Sequence, residues 1–127
     1  MGETKEVDVV ICLGSNTTDR HSRLRRALSW LATSIKLDCS SSIYDTPPYS
    51  GVGGEYSNAV VKGSSALGFE ELESLCKSYE VTEGRDTDCR LAGIVPIDVD
   101  IVIYDGEAMR PGELSRYYFT QGYNQIS

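Results

Sequence analysis

The 127-residue sequence is poor in several things that would each open a line of chemistry. It has one histidine, His21, and its four cysteines (Cys12, Cys39, Cys76 and Cys89) form no Cys-x-x-Cys pair. That supply does not make a Cys/His zinc site. Cys12 falls in an apolar strand pattern and Cys76 on an apolar helix face, where a thiol acts as a small hydrophobe. The expectation is a reduced, cytoplasmic protein. No apolar run approaches the length of a membrane helix or resembles a signal-peptide core. Gly2 is followed by Glu6 where an N-myristoylation signal wants Ser or Thr. Positive charge is also short, with 12 Lys and Arg against 19 Asp and Glu. The net charge of −7 argues against nucleic acid or an anionic membrane as the partner. Neither a G-x-G-x-x-G turn nor a Walker-type Gly-Lys-Ser/Thr is present.

What is there reads as one domain covering residues 1–127, long enough to bury a core. Val7 to Leu13 is a strand pattern ending at Gly14-Ser15-Asn16, which reads as a turn and helix cap. From Asp19, the apolar positions Leu24, Ala27, Leu28 and Leu31 recur at helical spacing, with Thr17 or Thr18 to cap the start. Ile35 to Tyr44 reads as a second strand, stopped by Thr46-Pro47-Pro48 because consecutive prolines remove ladder donors. Tyr49 to Glu55 holds three glycines in seven residues and reads as a mobile loop. Tyr56 to Lys62 is a third strand. Gly68 to Gly84 carries Leu72, Leu75, Cys76 and Tyr79 at helical spacing. Arg85 to Val95 reads as a second long loop, and the strand from Pro96 to Tyr104 leaves through a turn at Tyr104 to Glu107. The order β-α-β-β-α-β is the split, ferredoxin-like arrangement: an α+β fold whose antiparallel sheet carries both helices on one face.

That last strand, Pro96-Ile97-Asp98-Val99-Asp100-Ile101-Val102-Ile103-Tyr104, sets two carboxylates into an apolar run. Alternation puts Asp98 and Asp100 on one face and Ile97, Val99 and Ile101 on the other. Two positions along a strand are roughly 6.6 Å apart. At an effective dielectric of about 20, two carboxylates at that distance repel by roughly 2.5 kcal/mol. A cation between them reverses the sign, and a solvated edge strand screens the repulsion instead. Both readings stand on this strand alone.

Two further features belong with it. The loops Tyr49–Gly54 and Arg85–Val95 each open beside a strand end, as lids over a site do. Around the double proline stand Tyr44, Tyr49, Tyr56 and Asn58. Tyr56 and Asn58 share a strand face, offering a ring to stack on and an amide to read a hydrogen-bonding edge. Eight tyrosines against two phenylalanines favour amphipathic contact positions, each of which serves equally for half-buried packing.

Taken in order, Gly14-Ser15-Asn16, the run from Ser41 to Tyr49, Tyr56 to Val61, Glu80/Gly84/Arg85 and Ile97 to Glu107 resemble the 6-hydroxymethyl-7,8-dihydropterin pyrophosphokinases of folate biosynthesis. The resemblance runs from about Val7 to Glu107 and implies a single domain of that kind over residues 1–127. It implies the ferredoxin-like fold and transfer of the β,γ-pyrophosphoryl group of ATP to the pterin hydroxymethyl oxygen, with release of AMP. Mg²⁺ on Asp98 and Asp100 would bridge the phosphates, in keeping with chemistry that is largely positioning and charge neutralisation. Thr46, Pro47 and Tyr49 would line the pterin pocket, with Tyr56 stacking on the ring, Asn58 bonding its edge and Tyr123 as the second face of a sandwich. Glu80 and Tyr118 fall on the nucleotide side. Arg85 is the loop arginine, and Arg90, five residues before Val95, would stand in for the phosphate-clamping arginine that the family has where this chain has Val95. The partners implied are small molecules, with oligomeric state open.

The chain departs from that family at two places. Where the family writes an aromatic and then Gly-Pro-Arg before the two-aspartate strand, this sequence has Ala92-Gly93-Ile94-Val95. Where the family has Pro-His and then an Arg-Gly-Phe-type segment, this sequence has Tyr118 and then Gln121-Gly122-Tyr123. Beside the pyrophosphokinase stand two other readings: a pterin- or nucleotide-binding homologue with reduced or lost catalysis, and a ferredoxin-like domain used only for association.

Overall fold

A computed structural model describes residues 5–49, 51 and 54–127. The chain runs β1 (Val7–Ser15), α1 (Arg20–Ser34), β2 (Lys36–Ser40), β3 (Tyr44–Thr46), β4 (Tyr56–Ser65), α2 (Phe69–Thr82), α3 (Thr87–Leu91), β5 (Asp98–Tyr104) and β6 (Glu107–Ala108). It ends with a 3-10 turn at Pro111–Glu113 and α4 (Tyr117–Ile126). The strands form one sheet in the order β2-β4-β1-β5-β6, with β3 also on β4 and every pairing antiparallel. With β1, β2, β4 and β5 as its four main strands, the frame is the expected β-α-β-β-α-β fold. Asp105 (φ 52) and Gly106 (φ 80) turn β5 into β6, the two left-handed positions that a tight hairpin requires. Among the described residues, no helix is long and apolar enough to cross a membrane.

α1 and α2 cover one face, as expected. Their apolar stripes (Leu24, Ala27 and Leu31; Leu72, Cys76 and Tyr79) meet Val9, Ile11, Leu13, Ala59, Val61, Val99 and Ile101. α4 was not anticipated, and it lies on the other face. There Phe119 packs with Val10, Cys12, Val60 and Val102. Gly122 permits the approach, because a Cβ there would stand 2.5 Å from Tyr44 Oη and 2.6 Å from Val60 Cγ2. The Tyr44 hydroxyl donates to the Tyr118 carbonyl (2.6 Å) and accepts from the Gly122 amide (3.1 Å), fixing the helix over the sheet.

Three local expectations change. The strand expected over Ile35–Tyr44 is two strands, because Ser41 Oγ accepts the Val60 amide (2.9 Å) in place of a backbone carbonyl and breaks the ladder. Arg85–Val95 is not all loop: α3 forms there, with the Asp86 side chain capping it by accepting from Cys89 N (2.8 Å). It buries no residue and so has no apolar periodicity to read. Neither Thr17 nor Thr18 caps α1, whose N-cap is Asp19; the Thr17 hydroxyl instead donates to Asp19 Oδ1 (2.8 Å). Of the Tyr49–Gly54 loop, Ser50, Val52 and Gly53 lie outside the described residues, as does Gly2.

Candidate active site

β1 runs between β4 and β5, and the register sets two rows across the face opposite α1 and α2. Gly14 faces Asn58 on one side and Asp98 on the other; Cys12 faces Val60 and Asp100. The missing side chain at Gly14 leaves the first row hollow, with the Asn58 amide oxygen 3.3 Å from where a Cβ would stand. α4 covers the neighbouring Cys12, Val60 and Val102. The uncovered part is a cavity of about 250 Å³ lined by Cys12, Leu13, Gly14, Thr46, Pro47, Tyr49, Tyr56, Asn58, Asp98, Asp100 and Tyr118. Eight of the twelve residues singled out from the sequence are among these.

One wall is aromatic and amide. Asn58 is only 3% exposed, and its amide nitrogen donates to Thr46 Oγ1 (2.7 Å), which fixes the side chain's orientation. Tyr56 is half-buried, its hydroxyl pushed up in pKa by that burial and then by the charge of Asp98. Tyr49 is exposed and carries the Arg116 guanidinium 4.3 Å above its ring. Tyr117 donates to the Pro47 carbonyl (2.7 Å), strapping the start of α4 to the proline loop. This brings Tyr118, its hydroxyl donating to Glu113, edge-on to Tyr49 at 5.8 Å. Tyr118 therefore stands on the same wall as Thr46, Pro47 and Tyr49. Tyr123 does not line the cavity: it stacks on Phe119 (5.1 Å, 20°) within the cluster beneath α4. Tyr118 also touches that cluster, but five helical positions rotate a side chain by about 140°, which turns Tyr123 away from the cavity wall that Tyr118 lines.

The other wall is acidic. Asp98, Asp100 and Glu80 bring carboxylate oxygens within 4.8 Å of one another. Their roles differ. Glu80 Oε2 accepts the Val99 amide (2.9 Å), satisfying a donor on the edge of β5 that β6 does not reach. Lys77 Nζ donates to Glu80 (3.1 Å), to the Val99 carbonyl (3.5 Å) and to Asp100 (3.3 Å). Glu80 thus fastens α2 to β5 beneath the aspartates and does not line the cavity. Burial raises its pKa above the usual carboxylate value. Arg85 Nη1 pairs with Asp98 (2.9 Å) and Glu80 (3.2 Å), and Arg110 Nη2 with Asp100 (3.2 Å).

The two aspartates behave as a coupled pair. Burial, followed by the charge of Asp98, pushes Asp100 up to about 7. Burial opposes the charge of Asp98 too, but hydrogen bonds from Asp100 and Arg85 outweigh it and hold Asp98 below its usual value. A solvated edge strand is not what surrounds Asp100, whose side chain is 14% exposed. Two hard oxygen donors on one cavity wall, held close together against their mutual repulsion, fit a hard divalent cation such as Mg²⁺. Cys12 has its thiol raised by burial and by Asp100, so it stays protonated beneath them.

Arg90 lies exposed on α3, with no side-chain ion pair among the described residues and no place on the cavity wall. Val95 is held by its backbone: Asn16 Oδ1 accepts its amide (2.6 Å), and the Asn16 amide donates to its carbonyl (3.0 Å). Asn16 also donates to the Gly93 carbonyl (2.8 Å), so it pins the loop ahead of β5 and is no helix cap. The roles of three charged or polar residues around the site were missed. Lys77 sits three residues before Glu80, a spacing that places both on one helix face and could have been read. Asn16 is picked out within Gly14-Ser15-Asn16 but as a turn and cap, its contact with the loop at Gly93 and Val95 being tertiary, and Arg110 reaches the site only through a tertiary contact and left no local signal.

Comparison with known proteins follows the same lines. A family model, 7,8-dihydro-6-hydroxymethylpterin-pyrophosphokinase, matches residues 10–126. The mitochondrial folate synthesis bifunctional protein of Pisum sativum is 36% identical over 104 residues, which is 80% of this chain and 20% of that protein. The 2-amino-4-hydroxy-6-hydroxymethyldihydropteridine pyrophosphokinase of Porphyromonas gingivalis is 35% identical over 101 residues, 76% of this chain and 68% of the relative. That of Aquifex aeolicus is 30% identical over 103 residues, 80% and 64%. The chain thus spans about a fifth of the bifunctional relative and about two thirds of the stand-alone ones. With the family model matching nearly the whole chain, the protein belongs to the 7,8-dihydro-6-hydroxymethylpterin-pyrophosphokinase family.

Proposed function

We propose that this chain, as a single domain, transfers the β,γ-pyrophosphoryl group of ATP to the hydroxymethyl oxygen of 6-hydroxymethyl-7,8-dihydropterin and releases AMP in folate biosynthesis. The observation that carries this reading is one cavity with two unlike walls, Tyr56 and Asn58 on β4 facing Asp98 and Asp100 on β5. Tyr56 offers a ring face and Asn58 a pre-oriented amide to a flat heterocycle with a hydrogen-bonding edge. Thr46, Pro47, Tyr49 and Tyr118 close the sides. Asp98 and Asp100 would hold Mg²⁺, which when bound neutralises phosphate charge and polarises the phosphoryl oxygens. Arg85, anchored by Asp98 and Glu80, places a guanidinium beside the same carboxylates, where phosphate oxygens would arrive. Direct attack by the substrate hydroxyl is the mechanism we favour, with both cavity carboxylates assigned to the metal. The partners are then small molecules, and four free cysteines are in keeping with a reducing cytoplasm.

The test is AMP release coupled to consumption of the dihydropterin, with ATP and Mg²⁺. Turnover that needs all three supports the reading. Absence of turnover at high concentration of folded protein contradicts it. A second reading, a pterin-binding homologue without catalysis, is favoured by one observation: position 95 is a valine and Arg90 makes no ionic contact within the described structure. It predicts calorimetric pterin binding, weakened by Tyr56→Ala, with no ATP-dependent turnover.

A further inference from the structure

Three cations converge on the three carboxylates, and they are not equivalent. Arg85 bonds Glu80, Asp98 and the Ile97 carbonyl (3.4 Å). Lys77 bonds Glu80, Asp100 and the Val99 carbonyl. Both are knitted into the edge of β5 and cannot leave without freeing a backbone group or Glu80. Arg110 differs. Its guanidinium has one charged partner among the described residues, Asp100 at 3.2 Å, and its side chain is 37% exposed. Its backbone is held, since the Met109 and Arg110 amides both donate to the Val102 carbonyl (2.8 and 3.4 Å). Arg110 therefore has a fixed root, a single ionic contact and a path to solvent.

Arg110 and Lys77 share one oxygen, Asp100 Oδ1. A divalent cation bound between Asp98 and Asp100 meets two positive groups on that oxygen, of which only Arg110 is free to withdraw. A planar guanidinium with five donors is then released beside the phosphates the cation would carry, a geometry to which it is suited. Resting on the function proposed above, we propose that Arg110 is an exchangeable counter-ion: it neutralises Asp100 in the metal-free site, yields that carboxylate to the divalent cation, and pairs with the nucleotide's phosphate oxygens. The site then exchanges one cation for another and never holds its carboxylates uncompensated.

The experiment is a Mn²⁺ titration followed by electron paramagnetic resonance, with and without α,β-methylene-ATP, on the parent chain, Arg110→Gln and Arg110→Lys. Thermal melts confirm that each is folded. Removing the competing charge should make Arg110→Gln bind Mn²⁺ alone about 2- to 5-fold more tightly, the scale of a partly exposed ion pair. The same variant should bind Mn²⁺ with the analogue about 10-fold more weakly, the loss of a charged hydrogen bond. Arg110→Lys should restore part of both. Weaker or unchanged Mn²⁺ binding by Arg110→Gln overturns the counter-ion role, and so does unchanged binding of the analogue. If the parent chain fails to bind Mn²⁺ with the analogue, the proposed function falls and this inference with it. If the parent binds and Arg110→Gln matches it, only the inference falls.

Discussion

On the face of the sheet that carries α1 and α2, the central inward positions of β1, β4 and β5 (Val9, Ile11 and Leu13; Ala59 and Val61; Val99 and Ile101) are apolar, with the buried serines Ser15, Ser57 and Ser65 confined to the strand ends. One residue along each strand, the opposite face presents Val10, Cys12 and Gly14 on β1, Asn58 and Val60 on β4, and Asp98, Asp100 and Val102 on β5. The first face is closed by two amphipathic helices. The second is closed over half its extent by α4 and left open over the other half, where the polar residues lie. The contrast shows how one sheet separates two tasks. Apolar burial on one side holds the strands rigid, so like-charged aspartates on the other side can be kept together at a cost the core absorbs. Strand alternation enforces the separation, because no residue of β5 can serve both faces.

Substitutions can break this contrast from either side. The largest effect is expected on the open face: Asp98→Ala should lower turnover on the order of 10³-fold, as loss of charge stabilisation does in phosphoryl transfer, with little loss of melting temperature. Kinetics and melting on one sample check both halves. On the closed face the pattern inverts. Leu72 is fully buried, so Leu72→Ala should lower stability by about 2–5 kcal/mol in denaturant titration while the folded fraction keeps its turnover. Gly122→Ala tests the boundary between covered and open halves. The Cβ has no room against Tyr44 and Val60, so a loss of about 1–3 kcal/mol is expected, together with weaker protection of α4 amides in hydrogen exchange. A smaller pair follows from the rings. Tyr56→Ala should weaken calorimetric pterin binding about tenfold, whereas Tyr123→Ala should affect stability and leave that binding nearly unchanged.

The smallest expected effect is on pH. Burial and the charge of Asp98 push the Asp100 carboxyl up to about 7 in the folded chain, against 3.8 for an unperturbed one. The native state therefore holds the proton more tightly than the unfolded state. This contribution is complete below pH 3.8 and is lost as pH rises through 7. The melting temperature of the metal-free protein should fall as pH rises from acid to neutral, with the depressed Asp98 opposing that slope at its acid end. Asp100→Asn should flatten the slope, and saturating Mg²⁺ should remove most of it.

The closed face was legible in the sequence and the open face only in part, for a physical reason. Leu24, Ala27, Leu31, Leu72 and Cys76 repeat at the helical period, and burial against a sheet demands that pattern. The same alternation that located Ile97, Val99 and Ile101 also located Asp98 and Asp100 on the other side. Tyr56 and Asn58 were readable on that rule as well. What escaped depends on chain-distant contact. α4 owes its position to Gly122 fitting against Tyr44 and Val60, 78 and 62 residues away. The counter-charge of Arg110 reaches Asp100 only after the β5–β6 hairpin turns it back. The family resemblance puts Tyr123 in the cavity but carries no helical phase, and the stack on Phe119 places it elsewhere.

The aspartate wall and the Tyr56–Asn58 wall are proposed to serve one reaction centre. Crystals grown with Mn²⁺, α,β-methylene-ATP and 6-hydroxymethyl-7,8-dihydropterin test it most directly, because anomalous scattering locates the metal without assumption. A metal peak ligated by both Asp98 and Asp100 is expected, with the pterin ring against Tyr56 and its edge on Asn58. A metal bound away from either aspartate, or a ring bound outside this cavity, would contradict it.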